Sequence, residues 1–247
     1  MKNILSVVIL SMLACASAFA QDNGSDESDE KTLLSVVEGP FTAEFANYFS
    51  LGDHVFFGTS GDFDTANKNS SSEFVFNIIE LRVRPYQGAH FCLGLDFDWD
   101  YYRLSKEYYW LPDASKQSVT IASREQGGFK RIKKSNLNVR TVSVPLSFEQ
   151  DFGKCSLRIG AAGEYNFPGR TRFKAIDNSG AKVKETRSGE RFADQIKTNP
   201  FTYSAFAALS FEGAGFYVKY SPKPVFEEAA GPQFKTLTIG VICGLGK

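Results

Sequence analysis

Cysteine, methionine, tryptophan and histidine are all scarce in this 247-residue chain: four, two, two and two. Cys15 falls in a leader described below, which leaves Cys92, Cys155 and Cys243. An odd number with no C-x-x-C spacing excludes a disulfide framework and a structural zinc site, so unpaired thiols are expected. Nothing else in the sequence points to a metal or a cofactor. Net charge is also missing, since 28 Lys and Arg meet 28 Asp and Glu, and this argues against a nucleic-acid partner. After the leader no segment reaches the roughly 18 unbroken apolar residues of a membrane helix. No stretch has a convincing 3.6-residue period.

The chain start has the form of an export signal. Lys2 supplies a short basic region, Ile4 to Ala14 an apolar stretch, and Ala18-Phe19-Ala20 a cleavage site before Gln21. Residues 1–20 are therefore expected to be a cleaved signal peptide. Lipoprotein processing at Cys15, behind the poor lipobox Met12-Leu13-Ala14, is the alternative. The segment QDNGSDESDEK that follows is acidic and free of aromatics. It opens an acidic spacer (21–38) expected to be disordered and periplasmic. Residues 39–247 have the length of one all-β domain.

Phenylalanine is abundant, at 23 residues, and it recurs with period 2. Residues 90–104 read HFCLGLDFDWDYYRL: Leu95, Phe97, Trp99 and Tyr101 alternate with Asp96, Asp98 and Asp100. Elsewhere Ile79, Leu81 and Val83 alternate with Glu80, Arg82 and Arg84. Val142 to Phe148 alternate with Ser143, Ser147 and Glu149, and Leu157, Ile159 and Tyr165 with Arg158 and Glu164. Phe201, Tyr203 and Leu209 alternate with Thr202, Ser204 and Ser210; Phe216, Val218 and Tyr220 with Tyr217, Lys219 and Ser221; Leu237 and Ile239 with Thr236 and Thr238. A weaker first strand is expected near 41–50.

The connections fit this phase. Hairpin loop length must match the parity of the two strands it joins. A three-residue loop 86–88, with Gly88 at the positive-φ position, a four-residue loop 151–154 and a two-residue Gly213-Ala214 type II′ turn all satisfy it. Long connections (51–72, 104–137, 168–199, 223–233) fall between these tight turns. Charges deep in long strands, eight strands and alternating short and long connections describe an outer-membrane barrel with short periplasmic turns. The expected fold is thus all-β: an eight-stranded antiparallel transmembrane β-barrel, an up-and-down meander. Its odd residues in 93–101 would meet lipid. A luminal charge network of Glu80, Arg82, Arg84, Asp96, Asp98, Asp100, Arg158, Glu164 and Lys219 would fill the interior.

The segments VSVPLSFEQDF (142–152), GAAGEYNF (160–167), FYVKYSPKPVFEE (216–228), KTLTIGVICGL (235–245) and LGLDFDWDYYRL (93–104) together resemble the PorT-like small outer-membrane β-barrel family of Bacteroidetes. The likeness covers nearly all of the mature chain. It implies a Gram-negative outer-membrane location and insertion by the barrel assembly machinery, and it brings no catalytic residues. Such barrels usually end on an aromatic residue, whereas this sequence ends Leu245-Gly246-Lys247.

The expected function is a structural, adhesive or assembly role for a closed barrel. A small channel and a soluble periplasmic barrel for an apolar ligand are the alternatives. Asp53 and His54 are the one acid and histidine pair near the outer rim, and enzymatic activity is not expected. His90 is expected to point inward opposite Arg84. The basic stretches 104–137 and 168–199 suit outer-membrane lipid and lipopolysaccharide phosphates.

Overall fold

The computed structural model describes residues 41–59, 63, 66, 71–113, 115–187 and 196–244. The expectations for the signal peptide and the spacer lie outside the described residues.

The chain forms strands β1 (Phe41–Phe45), β2 (Tyr48–Phe57), β3 (Ser71–Tyr86), β4 (Ala89–Arg103), β5 (Tyr108–Asp113), β6 (Ser118–Ser123) and β7 (Phe129–Phe152). They are followed by β8 (Cys155–Asn166), β9 (Arg170–Asp177), β10 (Lys182–Arg187), β11 (Phe201–Phe211), β12 (Ala214–Ser221) and β13 (Lys235–Gly244). Eight of these close a ring. β2 pairs β3, β3 pairs β4, β4 pairs β7 and β7 pairs β8. β8 then pairs β11, β11 pairs β12, β12 pairs β13, and β13 returns to β2 from Lys235↔Phe57 to Gly244↔Tyr48. Every pairing is antiparallel, so the ring is an eight-stranded meander barrel with no free edge. Closure lets the backbone polar groups bond within the protein, a condition for spanning lipid.

Polarity runs inside out relative to a soluble protein. Phe91, Leu93, Leu146, Ile159, Leu209, Phe216 and Ile239 are exposed on the outer surface, while Glu73, Glu80, Asp96, Asp98, Glu149 and Glu164 are buried inside. A contiguous apolar band of this size calls for an apolar surrounding. The barrel is a transmembrane one, and a soluble barrel with an apolar ligand inside is excluded by its polar interior.

Sequence-based boundaries needed correction at several places. The first strand runs on to Phe57, broken at Ala46-Asn47, where the φ of Ala46 is +50°. β1 pairs the far half of β3 (Phe45↔Ile79) and β2 the near half (Phe49↔Phe76). His54 therefore sits in a strand and not at the start of a loop. The β11–β12 turn is Glu212-Gly213, with φ of +49° and +85°, so it is a type I′ turn and not a II′ turn at 213–214. The β7–β8 turn shrinks to Gly153-Lys154 because Phe152 pairs Cys155. A register shift between Val83 and Tyr86 separates His90 from Arg84, and His90 faces Glu149 instead. Cys92 and Cys155 are free as expected.

The largest difference lies at the end with the long connections. Residues 104–137 and 168–199 are not mainly loops. β7 continues well past the barrel and pairs β9 from Phe129↔Asp177 to Asn138↔Arg170, and β9 pairs β10. This three-stranded extension packs Ile132, Phe173 and Ala175 against Tyr109 and Ala122 of the β5–β6 hairpin. A small platform thus stands on the barrel rim. Its strands alternate Lys or Arg with Ile, Phe or Ala, which is the two-faced pattern of a half-buried sheet.

Candidate functional site

The lumen is the most elaborate polar assembly in the described residues. At its tight-turn end Arg158 donates to Glu80 at 2.8 Å and through Nε to Glu149 at 2.7 Å. Arg82 donates to the other oxygen of Glu149 at 2.6 Å and reaches Glu44 at 3.4 Å. Asn47 adds a bond to Glu80 at 2.8 Å. Two guanidiniums thus bridge three carboxylates in fork geometry, the arrangement for which Arg is suited.

Above this lies Asp96, held by the Tyr48 hydroxyl and by Asn77 Nδ2 at 2.7 Å. Next comes Lys219, which is ion-paired with Glu73 and lies 3.5 Å from Asp98 and 3.9 Å from Glu164. Ser143 donates to Asp98, Thr202 and Ser204 donate to Glu164, and Tyr217 donates to Glu73 at 2.9 Å. Acids outnumber cations here, and neutral hydroxyl and amide donors supply what the cations do not. Buried ions are tolerated only when so satisfied.

Glycines make the approach possible. A Cβ on Gly52 would lie 2.4 Å from the Tyr217 hydroxyl, and one on Gly240 would lie 2.6 Å from its ring. The two glycines leave the slot through which Tyr217 crosses to Glu73.

At the upper end His54 Nδ1 contacts Thr238 Oγ1 at 2.9 Å and Nε2 lies 3.1 Å from Asp100, with the ring stacked on Tyr102. A hydroxyl, imidazole and carboxylate in line resembles a catalytic relay in outline. Thr238 is wholly buried, however, and the group lies beneath an apolar plug. Phe56, Phe63, Tyr102, Trp110, Phe226 and Phe234 pack together over the mouth, with Trp110 Nε1 donating to Tyr102 O at 3.0 Å. Below the plug, cavities of about 50 and 70 Å³ remain beside Tyr217 and Arg82, space for a few waters.

Of the residues expected to form the network, Glu80, Arg82, Asp96, Asp98, Asp100, Arg158, Glu164 and Lys219 all lie inside. Arg84 is exposed at the tight-turn rim and takes part in none of these contacts. Asp53 and His54 do not cooperate, because neighbouring strand residues point to opposite faces and only His54 enters the lumen. Glu73 was not anticipated, although it is 1% exposed and central. A register shift between Asn77 and Ile79 inverts the strand's phase, so odd residues point inward before it and even ones after. The signal was present as the adjacent apolar pair Ile78-Ile79, which breaks strict alternation. Glu149 lay on the predicted polar face. Glu44, Tyr48 and Asn77 complete the set.

No family model matches the chain, and no curated protein matches it either. Solved structures with the same kind of fold do. One is Ail, the attachment invasion locus protein of Yersinia pestis, in complex with the heparin analogue sucrose octasulfate. It shares 9% identity over 85% of this chain and 100% of its own, with a TM-score of 0.32. A second structure of Ail aligns at 11% identity over 81% of this chain and 100% of its own, with a TM-score of 0.29. LpxR from Salmonella typhimurium shares 8% identity over 81% of this chain and 86% of its own, with a TM-score of 0.22. Likeness at this level transfers no activity, and the barrel stands on its own closed strand pairing. The sequence-based expectation of no enzymatic activity is withdrawn, since LpxR, an outer-membrane barrel enzyme, stands among these structures.

Proposed function

We propose that this protein is a closed outer-membrane anchor that presents its β5–β6 and β7–β9–β10 platform outside the cell, in a structural, adhesive or assembly role. The observation that carries this is the sealed lumen. Ion pairs from Glu44 to Lys219 cross it, and the Phe63, Trp110, Phe226 and Phe234 plug covers it. Narrow eight-stranded barrels are filled by side chains in just this manner. Export through a signal peptide cleaved at Ala20/Gln21, an acidic periplasmic spacer over 21–38, insertion by the barrel assembly machinery and kinship with PorT-like barrels belong to the same reading.

Conductance tests it. Purified, refolded protein in planar bilayers should give no steady ion current. Reproducible single-channel steps would promote the channel alternative and end the closed-anchor reading.

Orientation is open to a separate measurement. In a Cys155→Ser background, Ser179→Cys and Lys116→Cys should react with a membrane-impermeant maleimide on intact cells, while Gln87→Cys should not. Both Ser179 and Lys116 are exposed in turns of the platform, and Gln87 is exposed in the β3–β4 turn at the other end. Labelling at Gln87 alone inverts the orientation.

A further inference from the structure

The outward face of the platform carries cations in ordered rows. Residues directly paired across an antiparallel sheet share a face. Lys134 pairs Lys174, and Lys174 pairs Lys184, so three lysines lie side by side on adjacent strands. Neighbouring strands are roughly 4.8 Å apart, so this row spans about 10 Å. The next row toward the barrel runs Arg103, Asn136, Arg172. The row after that runs Tyr101, Asn138, Arg170. All six cations are exposed.

Among the described residues no acid is ion-paired with them, and Asp53 acts on Arg103 alone, through space. Glu185 pairs Phe173 and so belongs to the opposite face. Asp53, the nearest outward acid in register, stands on β2, with Ser72 of β3 between it and Tyr101. Lys134 has its ammonium pushed below the usual lysine range, first by partial burial and then by Arg172, Arg103 and Lys174. A sheet that stacks like charges with no acid between them is destabilised by its own repulsion, and an anion bound there relieves it.

The height of the rows identifies the anion. Below them on the same outward face come Tyr101 and then Trp99, with Tyr165, Phe167, Phe201 and Tyr203 around the rim on neighbouring strands. Aromatic residues at this level mark the boundary between hydrocarbon and headgroups. Successive outward residues climb roughly 7 Å. The Arg103–Arg172 row is therefore one step above the tyrosine, and the lysine row is two. Both stand at headgroup level and face sideways, toward lipid and not toward the medium.

We infer that the Lys134–Lys174–Lys184 and Arg103–Arg172 rows form a lateral docking site for the phosphates of a diphosphorylated glycolipid of the outer leaflet. The inference rests on the membrane-anchor reading and deepens it, since it gives the platform a lipid partner. The site binds by charge and position only, and no bond is made or broken. Guanidiniums of the lower row are suited to fork-like contact with a phosphate, and the ammoniums above act as point charges.

The test uses the refolded full chain in detergent micelles, titrated with diphosphoryl lipid A and with its dephosphorylated counterpart and read by native mass spectrometry. The protein should prefer the diphosphoryl form by about ten-fold or more, given the attraction of several cations for an anionic headgroup. The combined Lys134→Gln, Lys174→Gln and Lys184→Gln variant should lose most of that preference. Lys116→Gln, Lys130→Gln and Lys197→Gln remove the same charge elsewhere on the upper end and should change it less than two-fold. An equal loss in both variants, or no preference for phosphate in the parent protein, overturns the proposal. Tighter binding of soluble heparin than of lipid A also overturns it, in favour of a polysaccharide partner. Should the triple Gln variant misfold, the Lys→Arg versions at the same positions must retain the preference, and its loss there sinks the idea. Failure of the membrane reading is seen separately: in a Trp110→Phe protein, Trp99 would then escape quenching by brominated acyl chains.

Discussion

Lys219→Met should cost the barrel about 3–5 kcal/mol of unfolding free energy, the usual penalty for removing one partner of a buried ion pair. Among the described residues Lys219 is the only cation within ion-pair distance of Glu73, Asp98 and Glu164, at 3.5 Å and 3.9 Å from the last two. Methionine keeps much of the volume and strands the carboxylates. The loss should appear as a lower urea midpoint for unfolding from lipid vesicles. Combining it with Glu73→Gln should restore a substantial part, because the residual charge at the centre of the cluster is gone. Hydroxyl donors from Ser143, Thr202 and Ser204 already serve the other two acids. A single variant as stable as the parent would mean that water, and not Lys219, balances these carboxylates, and the lumen would then be wetter than its cavities indicate.

Leu146→Arg should be almost as damaging, at about 2–4 kcal/mol in a bilayer. Leu146 is 60% exposed on the outer surface, at the centre of the row Leu93, Leu146, Ala161, Ala205. On a soluble protein so exposed a leucine would accept arginine within about 0.5 kcal/mol. At the middle of a lipid-facing band it places a cation in hydrocarbon. The same variant compared in vesicles and in a short-chain detergent micelle should differ, since the micelle deforms around the charge more easily. A neutral outcome in vesicles would remove the bilayer from the account of this surface. The neighbouring Pro145 points into the lumen beside Gly94, so the effect belongs to one face of the strand.

The two expectations rest on different kinds of legibility. That Leu146 faces outward and Ser147 inward could be read directly, because a strand alternates and its polar and apolar residues obey the same period. Parity also carried the strand number, the places of the tight turns though not their lengths or bounds, and most of the luminal charges, including Asp96, Asp98, Arg158 and Lys219. Glu73 escaped because a register shift at Asn77/Ile79 changes the phase without changing composition. His54 was assigned to a loop because Asp53 and Gly52 weaken the apolar pattern there. Its strand is recruited by β13, some 180 residues away in sequence.

The sequence by itself determined the class of fold, because period-2 alternation with charges on one face and large aromatics on the other has few solutions besides a barrel in lipid. It also determined where charge accumulates, in 104–137 and 168–199. Only the tertiary structure decided how that charge is arranged. Those stretches are strands of a platform, in which pairing across 40 positions brings Lys134 beside Lys174 and the β9–β10 hairpin adds Lys184 to the row. Pairing of that kind is nonlocal, and register shifts of one residue decide which face a lysine occupies. The plug is nonlocal in the same sense: Phe63, Trp110, Phe226 and Phe234 come from three separate connections and meet only once the ring has closed.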